Sequence, residues 1–128
     1  MRHGFGTWAV LALSGVFLLL AALFIAAPLL GAGIFGISVM EEGGLAYVRA
    51  LGLRDMALGL YLLGLLRFAS HRAVGIVLVA SVVIPAGDLV LVLASAGLSS
   101  PAHLLLHGFS GICVGGVGLL LLSARADR

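Results

Sequence analysis

Ionisable side chains within apolar stretches are the most informative feature of this sequence. Arg54 and Asp55 lie in one such stretch, Asp88 in the next and His107 in the last. Two carboxylates that share an arginine can divide into a base and an acid, because the arginine holds one ionised while burial favours the protonated form of the other. His107 could then shuttle the proton. These four residues are therefore the candidate catalytic set.

The composition shows why such groups are costly here. Of the 128 residues, 62% are hydrophobic and only 9% are charged, whereas about a quarter of a soluble domain is charged. The lipid bilayer is therefore the expected solvent of the chain. The length allows one domain, residues 1–128. The net charge of +2 is too small and scattered for a nucleic-acid surface.

Four apolar segments are long enough to cross a bilayer, since about twenty helical residues span roughly 30 Å. The sequence therefore predicts an all-α, four-helix membrane bundle. A signal peptide could begin at Arg2 and His3, but its apolar core would exceed the usual length of about 7–15 residues. We expect the first segment to be retained. The four predicted spans are 8–27, 46–66, 73–96 and 102–123.

Basic residues in the short flanks indicate the orientation of these spans. The connections 28–45 and 97–101 contain no arginine or lysine. Cytoplasmic flanks are enriched in basic residues, so the chain is predicted to be a multi-pass protein of the cell membrane with both termini in the cytoplasm. The flanking basic residues that share one side of the arrangement are Arg2, Arg67, Arg72, Arg125 and Arg128.

The depths of the polar groups predict that they converge. Arg54 and Asp88 each lie about 12 Å below the outer ends of their spans, and His107 lies about 8 Å below, at 1.5 Å per residue. All of them therefore occupy the outer half of the bundle. Gly52 and Gly59 share the helix face of Asp55, and we expect these small residues to leave room around the carboxylate.

Further polar residues are candidates for binding. His103, His107 and Ser110 share one face of the last span, and Pro85 lacks a backbone donor shortly before Asp88. The histidine pair has no third histidine or thiolate at useful spacing, so we expect neither a metal nor a cofactor. The residues expected to form a polar mouth above the site are Glu41, Glu42, Tyr47 and Arg49.

Three sequence motifs resemble those of a family of small four-span membrane proteins catalogued as a domain of unknown function (DUF4267). Phe35-Gly36 resembles its first-loop motif, with Ser38 where proline is expected. The resemblance covers nearly the whole chain and implies the four-span architecture and these residues as a set, but no established activity. The motifs are Gly52-Leu53-Arg54-Asp55 with Gly59, then Ile84-Pro85-Ala86-Gly87-Asp88, then His107-Gly108.

Three classes of function fit the polar cluster. The first is a hydrolase- or isomerase-type enzyme that opens an epoxide, shifts a double bond or cyclises an alkene in a lipophilic small molecule. The alternative is a non-catalytic membrane protein or partner subunit whose polar network fixes helix packing, as buried ion pairs can do. The third is proton- or ion-coupled transport, for which four spans provide little wall.

A ridge of glycines on the last span predicts close helix packing. In lipid, small residues let neighbouring helices approach. The ridge could serve within the bundle or join two copies in a homo-oligomer. Cys113 lies in the same apolar run and is expected to be an inert small residue. The ridge consists of Gly108, Gly111, Gly115 and Gly118.

Overall fold

The computed structural model describes residues 4–39 and 41–124, which are almost entirely helical and contain no strand. The predicted all-α fold is confirmed. The flanking residues Arg2, Arg125 and Arg128 lie outside the described residues. The helices are α1 (Phe5–Ala26), α2 (Pro28–Phe35), α3 (Glu42–Phe68), α4 (His71–Ser81), α5 (Val83–Ala96) and α6 (Pro101–Ser123), with a 3-10 turn at Gly97–Ser99.

Three helical stretches of the described chain are long and apolar enough to cross a membrane, which indicates a membrane protein. The helix α3 has 27 residues and corresponds to the second predicted span. It is more charged than the others, because Arg54 and Asp55 lie near its middle and Arg67 near its end. The three apolar stretches are Phe5–Ala26, His71–Ser99 and Pro101–Ser123.

Two local features differ from the sequence expectation. The first connection is not simply a loop, because Pro28 begins α2, where its missing N–H costs nothing in the first helical turn. Gly36 ends this helix with a φ of 91°, a conformation that favours glycine. The third span is divided at Val82 into α4 and α5. Pro85, in the first turn of α5, has no N–H to donate to the Ser81 carbonyl.

The helices associate in two closely packed groups. α1 lies along α3, whereas α4 and α5 lie along α6, and fewer contacts join α1 to α6 and α3 to α4. Cβ atoms on Gly52 and Gly59 would lie 3.1 Å from the Ala21 carbonyl oxygen and 3.2 Å from that of Ser14. The expectation that these glycines leave room around Asp55 is therefore wrong. They admit the backbone of α1 instead.

Three glycines of the predicted ridge on α6 face α4 and α5. A Cβ on Gly118 would lie 3.1 Å from the Gly75 carbonyl oxygen, and one on Gly115 would lie 3.1 Å from the Val82 side chain. A Cβ on Gly111 would meet Pro85 at 3.6 Å, whereas one on Gly108 would meet nothing within 4 Å. This part of the ridge therefore packs helices within one chain, as small residues do in lipid.

The apolar core lies in two clusters at opposite ends of the bundle. The first cluster, which we call the packed end, includes completely buried Val10 and Val74. The second cluster includes Phe24, Phe35 and Val92 and packs around α2. Between the clusters lie the polar side chains of the candidate site. The packed end consists of Val10, Leu62, Val74, Leu78, Val114 and Leu121.

Candidate functional site

Arg54 joins two carboxylates from different helices. Its Nη1 and Nη2 donate to the two carboxylate oxygens of Asp88, at 3.1 and 3.3 Å. Its Nε donates to Oδ1 of Asp55 at 3.1 Å, and Nη2 lies 3.1 Å from the same oxygen. The forked contact with Asp88 is the geometry in which arginine binds a carboxylate most strongly. The structure thus brings together three of the four residues predicted to form the site.

The two carboxylates differ in how fully they are engaged. Both oxygens of Asp88 accept from Arg54, whereas Asp55 accepts only through Oδ1. No group in the described part of the chain donates to Oδ2 of Asp55. The Asp55 side chain is only 4% exposed, yet it lines an internal cavity. Its second oxygen is therefore available to a molecule in that cavity.

His107 contacts α2 rather than a carboxylate. Its Nε2 lies 2.9 Å from the Phe35 carbonyl oxygen, and its ring meets the Phe35 ring edge-on at 4.7 Å between centroids. Because a carbonyl can only accept, Nε2 carries the proton and a neutral ring has Nδ1 free as an acceptor. His107 is buried and lines the cavity.

His103 plays a more structural part on the same helix face. Its Nε2 lies 3.0 Å from the Gly33 carbonyl oxygen, and its ring packs where a side chain on Gly36 would otherwise lie. The last carbonyls of a helix lack partners within the helix. The two histidines therefore cap the end of α2. The buried Nδ1 of His103 has no partner in the described part of the chain.

An apolar cavity of about 380 Å³ adjoins the polar cluster, within the range of roughly 300–1,000 Å³ typical of small-molecule sites. Ser110, a predicted binding residue, lines it, and its hydroxyl has no partner in the residues that the structure describes. The wall includes side chains that are also exposed on the outer surface of the bundle, so the cavity opens sideways there. These are Val16, Ile34, Leu106 and Phe109.

A second cavity, of about 640 Å³, also adjoins Arg54. Of the predicted polar mouth, Glu41 and Tyr47 line this cavity, whereas Glu42 and Arg49 are exposed outside both cavities. Arg54 and Phe35 are the two residues common to both linings. The predicted mouth is thus formed in part, and Arg54 lies at its base.

Three residues that contribute to the site were not among the predicted catalytic or binding residues. The Phe35 carbonyl positions His107, and Ser81 and Cys113 line the first cavity. Pro28 followed by apolar residues is a recognised signal for a helix start and could have indicated α2. Ser81 and Cys113 carry no comparable signal, because their exposure to the cavity depends on the rotation of α4 and α6.

The spacing of His103 and His107 on one helix face would suit a pair of metal ligands. No group of three or more His, Cys, Asp or Glu side chains within residues 4–39 and 41–124 is placed to hold a metal ion. His103 and His107 both donate to backbone carbonyls instead.

The amino-acid sequence of the chain matches a known family. The model of the family described as a domain of unknown function (DUF4267) matches residues 14–121. The chain therefore belongs to this family, and the resemblance predicted from the sequence is confirmed. No curated protein and no solved structure matches the chain.

Proposed function

We propose that the protein is a small membrane-embedded enzyme that performs acid–base chemistry on a lipophilic molecule. The observation that carries this proposal is that Asp55 lines an apolar cavity while only one of its oxygens is engaged by Arg54. A proton-transferring group needs an accessible atom within reach of its substrate. Purely structural carboxylates in lipid are usually fully paired.

The geometry supports different roles for the two carboxylates. Asp55 would exchange the proton, because one of its oxygens faces the cavity. Asp88 would hold the Arg54 guanidinium in position, because both of its oxygens are engaged by that group. The free Nδ1 of His107 would take up or return a proton at the cavity wall. Opening an epoxide, shifting a double bond and cyclising an alkene all require such a proton transfer.

The alternative is a non-catalytic membrane protein or partner subunit whose network fixes the bundle. The fork between Arg54 and Asp88 favours it, since the pair links α3 to α5, which have few other contacts. This alternative does not explain the cavity or the unengaged oxygen of Asp55. Proton- or ion-coupled transport would use the same groups, but would require a continuous path across the bilayer.

The decisive experiment compares Asp55→Asn with wild type in lipid vesicles. A panel of lipophilic epoxides and alkenes would be incubated with each protein and the products identified by mass spectrometry. We expect wild type to convert at least one compound and Asp55→Asn to be slower by about 100-fold or more, the usual range for a lost acid or base. Glu42→Gln removes an exposed carboxylate outside both cavities and is the matched control.

Two results would favour the alternative. One is conversion that persists undiminished in Asp55→Asn. The other is a panel with no converted compound combined with a loss of thermal stability in Asp55→Asn as large as that in Asp88→Asn. In that case both carboxylates would be structural.

We also propose that α3 is a fourth span and that both termini lie in the cytoplasm. Its 27 residues would extend about 40 Å at 1.5 Å per residue, and its central charges are paired. Arg67 and Arg72 flank the connection after it, as expected for a cytoplasmic side. In a Cys113→Ser background, an impermeant thiol reagent applied to intact cells should label Ser99→Cys and spare Ser70→Cys. The reverse pattern would overturn the orientation.

A further inference from the structure

The second cavity is the feature that the proposed function leaves unused. Its lining is aliphatic near Arg54, including Val48, Leu51 and Leu91, and becomes polar at Ser38, Glu41 and Tyr47. Those three polar residues are exposed, with Tyr47 78% exposed. The cavity therefore leads from a polar surface inwards to the guanidinium of Arg54.

The first cavity has the opposite character. Apart from the polar cluster, Ser81, Ser110 and Cys113, its wall is aliphatic and aromatic, and its exposed rim is formed by apolar side chains such as Val16, Leu106 and Phe109. Such a rim suits a molecule dissolved in lipid. Water would have to cross an apolar opening to reach Asp55 by this route, and that transfer is unfavourable.

We infer that the second cavity is the route by which water reaches the site, and that Arg54 and Phe35 form the partition between water and the lipophilic substrate. The two residues line both cavities. Each of them is held in place by hydrogen bonds. Arg54 is held by Asp88 and Asp55, and the Phe35 carbonyl by His107. The 30% exposure of the Arg54 side chain is consistent with contact with water.

Formal charge favours water over an anion as the occupant of this route. The carboxyl groups of Asp55 and Asp88 offset the charge of Arg54, so the cluster carries no net positive charge that would attract an anion. Water can accept the N–H of Nη1 that the fork leaves unused, since guanidinium has five donors. This inference rests on the proposed function, because the enzyme proposal is what makes water the second reactant or the source of exchanged protons.

The native Cys113 provides a direct test, because it is a free thiol and lines the first cavity. The probe is an impermeant, negatively charged methanethiosulfonate reagent applied to the protein in vesicles. Arg54→Ala should accelerate labelling of Cys113 about tenfold, since thiol reactivity depends on access. Removing Arg54 makes the site more negative and would by itself slow an anionic reagent, so acceleration reports an opened partition.

Blocking the second cavity identifies the route. Adding Ser38→Trp to Arg54→Ala should return labelling to the wild-type rate, whereas Ser99→Trp, exposed and outside both cavities, should have no effect. Neutral N-ethylmaleimide, which passes through lipid, should label all variants alike and so verifies folding. If Arg54→Ala does not fold, Arg54→Ala/Asp88→Ala replaces it, because it removes both members of the fork together.

The inference is overturned if loss of Arg54 does not accelerate labelling, or if Ser38→Trp leaves the acceleration intact. Neither result requires catalytic activity. The comparison of Asp55→Asn with wild type on lipophilic compounds would still stand, so failure of the water route and failure of the enzyme proposal can be told apart.

Discussion

Helix packing at the packed end differs from helix packing at the polar cluster. Where α4 crosses α6, a Cβ on Gly75 would lie 2.9 Å from the Gly118 carbonyl oxygen, so the two backbones are in direct contact. Between α3 and α5, the long side chain of Arg54 reaches across to Asp88, and cavities lie on both sides of it. Close packing at one end of the bundle therefore coexists with retained space around the polar cluster.

The difference bears on function because empty space is costly in a protein interior. Side chains that line a void lose dispersion contacts, and lipid provides no hydrophobic drive to compensate for poor helix packing. The packed end satisfies this requirement with glycine and branched aliphatic residues. The region around the polar cluster does not meet this requirement for close packing. Space is retained where the ionisable groups converge, which is the expected signature of a site maintained for a ligand.

The largest effect is expected for Arg54→Ala. Breaking a buried ion pair commonly costs about 3–5 kcal/mol because an unpaired charge remains, and here two carboxylates would be left. Asp88→Asn should also destabilise, and the double change Arg54→Ala/Asp88→Ala should cost less than the two single effects added together. Unfolding in detergent measures this. If the two single losses simply add in the double variant, the ion pair between Arg54 and Asp88 does not stabilise the protein.

A smaller loss is expected for Gly118→Ala at the packed end. The added methyl would lie 3.0 Å from the Val79 nitrogen and 3.1 Å from the Gly75 carbonyl oxygen, and overpacking of this kind typically costs about 1–3 kcal/mol. Gly116→Ala is the matched control on the same helix, since its methyl would meet nothing within 4 Å. Equal melting temperatures for the two variants would contradict the close α4–α6 contact.

Filling the first cavity should stabilise the protein instead of destabilising it. Ser110→Leu replaces an unpartnered hydroxyl at the cavity wall with a side chain that occupies part of the space, and cavity-filling changes commonly add about 0.5–2 kcal/mol. Ser123→Leu, exposed at the end of the same helix, serves as control. Destabilisation by Ser110→Leu would show that the cavity is smaller than described.

The smallest effect on stability is expected for Asp55→Asn. Asparagine keeps an oxygen for Arg54 and leaves the fork to Asp88 intact. It removes the charge of the Arg54–Asp55 ion pair, but it also removes the desolvation cost of a buried carboxylate, so the free energy of unfolding should fall by less than in Asp88→Asn. Thermal unfolding of Asp55→Asn, compared with that of Asp88→Asn and wild type, tests this prediction. A loss as large as that of Asp88→Asn would remove the distinction between the two carboxylates.

The sequence predicted the helices and the polar set because both depend on local properties. Apolar length determines which segments can form buried helices, and the cost of a charge in lipid identifies Arg54, Asp55 and Asp88 without any knowledge of their partners. Helix periodicity also placed His103 and His107 on one face. The all-α fold follows from these features, whereas the family was indicated by the resemblance of its motifs.

The tertiary structure alone decided which group contacts which. Whether Gly52 faced a cavity or another helix, whether His107 met a carboxylate or the end of α2, and which oxygen of Asp55 stayed free all depend on how the helices are rotated and how closely they approach. Those quantities are set by packing among residues distant in sequence, such as Gly75 with Gly118. The position of Arg54 in the linings of both cavities has the same origin.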